Sequence, residues 1–170
     1  MKTPSLSRLT ICLLPLVFAA CENKNTSETS GSLFVPVMEF AHGTVQLQTP
    51  TEAVTLGVEI AESDAQRQLG LMRRESLAAD SGMIFLFETE QAASNVFWMY
   101  QTYVPLSIAF IMSDNTIGTI RDMEPCPSPY PQSCPYYEAR VPFTAALEVN
   151  RGYFEKHGIG VGDKVSLTRN

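Results

Sequence analysis

Residues 83–87 read MIFLF, an apolar run with no polar interruption, and Ser81 and Gly82 punctuate the chain just before it. An unbroken run of this length beside turn signals predicts a buried strand. The segments around it carry compatible patterns. Upstream, Thr44–Gln48 and Val54–Ile60 alternate well enough to read as strands, with Thr49 and Pro50 at the turn between them. Next comes SDAQRQLGLM, in which Ser63 and Gln66 have the spacing of a capping box and Ala65, Leu69 and Met72 can share one helical face. A short helix is expected from about Asp64 to Leu69, disturbed by Gly70. Downstream, strands are expected at Asn95–Tyr100, Leu106–Met112, Thr116–Met123, Ala145–Val149 and Lys164–Thr168, with Asp114 and Asn115 at the tip of a hairpin. Asn150 can cap a second helix running to about His157, where Gly158 is a natural left-handed stop. The expected fold is α+β but mostly β: a single small domain in which a curled, barrel-like antiparallel or mixed sheet surrounds one core and carries two short helices.

The chain begins MKTPSLSRLTICLLPLVFAAC, with Lys2 and Arg8 ahead of an apolar run, Leu9 to Ala20, that ends in small residues. That is the charged region, short apolar region and small-residue cleavage site of a secretory signal, too short to span a bilayer stably. Cys21 directly after FAA resembles the lipobox of bacterial lipoproteins, with Phe18 where leucine is usual. The resemblance implies that Cys21 is lipidated and becomes the first mature residue; the alternative is a secreted protein cut after Ala20. The polar stretch ENKNTSETSGS, residues 22–32, reads as a tether. Residues 1–20 are thus expected to be a signal peptide, 21–43 a lipidated cysteine with its tether, and 44–170 the domain. By analogy with other lipoproteins, Glu22 after the cysteine favours the outer membrane where there are two. Removing the signal leaves ten basic against 18 acidic residues, a net charge of −8. Such a balance repels nucleic acid and anionic head groups.

Cleavage and lipidation would leave only Cys126 and Cys134, which flank CPSPYPQSC. An even pair in an oxidising compartment reads as a disulfide. Zinc would need two further ligands, and neither His42 nor His157 has metal spacing from the pair. A redox role would need a Cys-x-x-Cys pair. A surface staple is the expectation, worth on the order of 2 to 3 kcal/mol and less if the prolines already stiffen the loop.

GLMRR from Gly70, GMIFLF from Gly82, FWMYQTYVPLSIAFI from Phe97, PCPSPYPQSCPYY from Pro125 and ALEVNRG from Ala146 stand in one order. Together they resemble DUF192, also called UPF0127, a widespread bacterial and archaeal family of unknown function. The resemblance runs from about Val54 to Leu167 and implies a small β-rich fold with no established activity. Two departures matter. Where the family commonly has Trp-Met-Lys-Asn-Thr, this chain has Trp98, Met99, Tyr100, Gln101 and Thr102; where it commonly has Pro-Leu-Asp-Ile, this chain has Pro105, Leu106, Ser107 and Ile108. Any mechanism that needed that lysine or aspartate could not run here.

The chemistry that remains points to binding. Phe97 to Tyr103 is dense in aromatic groups beside the polar Gln101 and Thr102. As a strand, it would put Trp98 and Tyr100 on one face and Phe97, Met99 and Gln101 on the other. That is either a pocket wall with a polar orienter or a core strand whose only tryptophan fills the interior. The candidate ligand-binding residues are Trp98, Gln101 and Thr102, with Arg73 as an anion contact or a partner of Glu148. Tyr137 joins them from the cysteine loop, since loops often carry function. Glu148, between Leu147 and Val149, is expected to alternate outward to solvent. No nucleophile elbow, phosphate-binding glycine loop or metal-ligand spacing is found, so neither a catalytic residue nor a cofactor is expected. The expected function is a lipid-anchored extracytoplasmic module that binds a small molecule or an envelope protein. The alternatives are a hydrolase-like envelope enzyme and a purely structural lipoprotein.

Overall fold

Strand pairing turns these local patterns into one twisted sheet and a small satellite. The computed structural model describes residues 38–170; the signal segment, Cys21 and the tether as far as residue 37 lie outside them. The strands are β1 (Ala41–Gln48), β2 (Ala53–Ala61), β3 (Ser81–Gln91), β4 (Val96–Trp98), β5 (Leu106–Ile111), β6 (Ile117–Met123), β7 (Tyr136–Glu138), β8 (Phe143–Asn150) and β9 (Lys164–Arg169). Helices α1 (Asp64–Leu69) and α2 (Tyr153–Lys156) complete the set with a 3-10 turn at Pro131–Ser133. Seven strands form the main sheet in the order β6-β5-β8-β3-β2-β1-β9, and β4 pairs with β7 in a separate two-stranded sheet. Only β2 and β3 run parallel, so the chain must cross over between them, and the segment that contains α1 makes that crossing.

Both faces of the central strands are covered. On one face Val45, Leu47, Leu56, Val58, Ile60, Leu147 and Val149 pack with Tyr153 and Phe154 of α2. On the other, Met83, Phe85, Ile108, Phe110 and Ala146 pack beneath Met99 and Phe143. The central strands β5 and β8 therefore read as buried almost throughout, which one-sided strands do not. The sheet curls but does not close into a barrel. Its edges, β6 and β9, approach only around a single bridge, Thr116 to Lys164, beside the hydrogen bonds Ile117 N–H to Asp163 O and Val165 N–H to Asn115 O, each 2.9 Å.

The capping box forms as its spacing requires: the Gln66 N–H donates to Ser63 Oγ, and the Ser63 N–H donates to Gln66 Oε1. Gly70 ends that helix at φ 48°. The second helix departs from expectation. Asn150 does not cap it; it is the last residue of β8, and its amide donates to the carbonyls of Leu77 and Ala78 at 3.1 and 2.9 Å. The helix begins two residues after Arg151, following Gly152 at φ 76°, and Gly158 stops it at φ 63°. The expected strand at 95–100 shrinks to three residues, because Gln101 turns left-handed at φ 51°. β7 was not expected. Cys126 and Cys134 are joined as a disulfide, with 5.8 Å between their Cα atoms.

Candidate functional site

β4 is short, yet its alternation sorts the aromatic groups. Phe97 points inward and meets Phe85 and Phe110 edge-on, with ring centroids 5.2 and 5.5 Å away. Trp98 points outward, 38% exposed, 5.7 Å from the Tyr100 ring and stacked at 14° with Tyr136. The only tryptophan thus stands at the surface instead of filling the interior.

Beside it a cleft of about 240 Å³ opens between α1 and β4, walled by Arg67 and Gln68, by Phe85 and Phe87 of β3, and by Phe97 and Trp98. A recess of about 30 Å³ shares these walls, Phe87 apart, and is completed by Leu69–Met72, Thr102 and Glu148. A wider depression of about 570 Å³, lined by Glu62, Thr89 and Gln91, adjoins at Arg67 and Phe87.

Glu148 corrects the alternation argument. It is 4% exposed and lies across from Met83 and Ile108 in register, on the face that carries Ala146 and Phe85. A central strand covered on both sides has no outward face, so leaving one apolar row takes a side chain into the other. Burial pushes the Glu148 carboxyl up to about 8, and among the described residues no donor or cation beside it offsets the desolvation.

The nearby cations are engaged elsewhere. Arg67 donates to the carbonyls of Glu62 and Leu86 at 2.6 and 2.7 Å, pairs with Asp64, and lies 5.0 Å over the Phe87 ring. Arg73 does not reach Glu148. Its Nε donates to Gln101 Oε1 at 2.8 Å, Gln101 Nε2 donates to Tyr100 Oη, and Tyr100 Oη donates to the Pro129 carbonyl. Arg74 makes the fork instead, to both oxygens of Glu59 at 2.5 and 2.6 Å, which raises its own pKa further.

Of the residues singled out in the sequence, Trp98 and Thr102 line the recess. Arg73 and Gln101 form the relay behind it, from the turn after α1 to the disulfide loop. Tyr137 lies elsewhere: it packs against the second core cluster, and its Oη accepts from the Glu124 N–H at 2.9 Å. Sequence reading missed Glu148, Phe85 and Arg67 as a group. A usable signal existed in MIFLF, because an unbroken apolar run marks a strand covered on both faces, and ALEV pairs with its buried part.

Comparison with known proteins finds no match among curated ones. Several solved structures are similar, among them the two that follow. A proposed transcription regulator from Sinorhizobium meliloti 1021 is 34% identical, with TM-score 0.67, over 77% of this chain and 97% of that one. A protein of unknown function from Novosphingobium aromaticivorans DSM 12444 is 30% identical, with TM-score 0.65, over 77% of this chain and 89% of that one. The model of DUF192, described as an uncharacterized ACR, matches residues 45–167, from the middle of β1 into β9, and so takes in every wall of the cleft. By that match the chain belongs to the DUF192 family.

Proposed function

We propose that this protein is a lipid-anchored, extracytoplasmic binding module whose α1/β4 cleft takes a small molecule. One observation carries the reading: the sole tryptophan is exposed beside an aromatic cleft that adjoins a buried carboxyl with no partner among the described residues. Ligand sites combine apolar walls with a few convergent polar groups in this way. The anchor rests on the signal-like segment and on Cys21. The S. meliloti relative's description as a regulator of transcription does not suit this chain, whose net charge of −6, or −8 without the signal, opposes DNA.

The test uses Trp98 as its own reporter. A panel of amino acids, sugars, peptidoglycan fragments, nucleotides, amines and lipids is titrated into the mature protein while the indole emission is followed. A ligand of the cleft shifts that emission, and Phe97→Ala weakens the response by about tenfold or more, the loss of a buried aromatic contact. If ligands raise the melting temperature with no change at Trp98, the site lies elsewhere and the reading fails.

A second reading has one observation in its favour. An acid poised near neutrality in a cleft is what a general acid–base catalyst needs, and Glu148 has that property. It lacks a convergent partner, because Arg67 is tied to Asp64 and to two backbone carbonyls.

A further inference from the structure

Glu148 lines the recess, and among the described residues its carboxyl has no hydrogen-bond or ion-pair partner. Buried ionisable groups are rarely left so, because desolvation costs several kcal/mol unless a partner offsets it. We propose that the partner is the ligand, and that the recess takes the primary ammonium group of an amine whose apolar body lies in the cleft against Phe97 and Trp98. This rests on the reading of the cleft as a binding site and names the class of molecule it binds.

Three features favour a cation over a neutral hydrogen-bonding group. First, the walls around Glu148 are the rings of Phe85, Phe97 and Trp98, whose faces attract positive charge. Second, among the described residues no cation that lines the recess is free to serve. Arg67 is the one other ionisable group that lines the recess, and its guanidinium is held by Asp64, Glu62 O and Leu86 O, while Arg73 is held by Gln101. The register partners of Glu148 on β3 and β5, Met83 and Ile108, carry no charge, and the turn after β4 brings only the hydroxyl-bearing Thr102 to the recess. Third, size selects among cations. A space of about 30 Å³ holds a head group near the size of water, which an ammonium is and a guanidinium or trimethylammonium is not.

Binding is then linked to a proton. In the free protein at neutral pH Glu148 is largely protonated, because burial pushes it to about 8. An ammonium needs the carboxylate, so the proton on Glu148 leaves to solvent as the amine enters, and the net charge of the pair is balanced. Affinity should therefore rise about fifty-fold between about pH 6 and pH 8, as the ionised fraction rises.

The experiment compares phenethylamine with phenethyl alcohol, and hexylamine with hexanol, on the mature protein, following Trp98 emission and, by calorimetry in two buffers, proton release. Each amine is expected to bind at least tenfold tighter than its alcohol, to release about one proton below neutrality, and to gain affinity as pH rises. Glu148→Gln, which keeps the shape of the protonated acid, should bind amine and alcohol alike. Equal binding of amine and alcohol to the unaltered protein, with Trp98 still responding, overturns the ammonium proposal and leaves the cleft as a binding site. So does an affinity that falls with rising pH, the mark of a ligand that accepts a hydrogen bond from the neutral acid. Amines that perturb neither Trp98 nor the calorimetric baseline at millimolar concentration also overturn it, and the broader panel then decides the cleft on its own.

Discussion

Burial of Glu148 gives the folded protein a pH dependence opposite to that of most carboxylates. Its pKa is about 8 folded against 4.5 in an open chain, so the native state holds a proton that the unfolded state has lost. The resulting stability is complete below about pH 4.5, declines as pH rises, and is gone above about pH 8, a span on the order of 5 kcal/mol. Urea midpoints of the ligand-free protein should fall steadily between those limits, and Glu148→Gln should flatten the curve and be the more stable protein at pH 8. Coincident curves for the two would refute the assignment. At the acid end Glu62 and Asp114 act in the usual direction: the hydrogen bond from Arg169 lowers the first and that from Thr116 lowers the second. At this scale the sequence was half legible. Trp98 and Thr102 could be singled out because aromatic and hydroxyl groups cluster along the chain. The acid that meets them comes from some fifty residues away, and only the pairing of β8 with β3 and β5 brings it there.

Elements were legible where their cause is local. The capping box at Ser63 and Gln66, the strand at MIFLF and the hairpin around Asp114 and Asn115 each follow from neighbours a few residues apart. β7 was not, because three residues, Tyr136–Glu138, are too few for a period and owe their conformation to β4 across from them. Asn150 has the right residue type for a cap, but its amide is drawn to Leu77 and Ala78, residues a sequence window cannot see. The pairing of β3 with β8 makes a further demand, at Gly82. A Cβ there would stand 2.5 Å from the Glu148 carbonyl oxygen and 3.0 Å from a Val149 methyl, and backbone cannot move aside as a side chain can. Gly82→Ala should cost about 2 kcal/mol or more, read as a lower melting temperature with the Trp98 emission unchanged. Gly57→Ala is the control, since a Cβ there meets only the Asp80 carbonyl, at 4.0 Å. Equal losses in the two variants would show that the close approach at Gly82 is not what constrains that strand.

For the whole molecule, the mostly β architecture and the curl of the mixed sheet followed from composition and turns, whereas how far the barrel-like sheet stays open did not. Closure depends on whether β6 and β9 share a ladder, and their contact is limited to Thr116 and Lys164 with the adjoining turn. The proposed anchor belongs to this scale too. Cys21→Ser should move the protein from the membrane pellet to the soluble fraction of a bacterial host without altering the melting temperature of the domain, and a protein that stays in the pellet would rule out lipidation as what holds it. The outermost position of β9 has a bearing on how the molecule is made. Because Lys164–Arg169 pairs with β1, near the opposite end of the domain, β1 keeps one edge open during synthesis until β9 follows. Folding is then governed by long-range pairing, slow by its topology, and until β9 arrives the unfinished domain offers a bare strand edge to any helper or to its own copies.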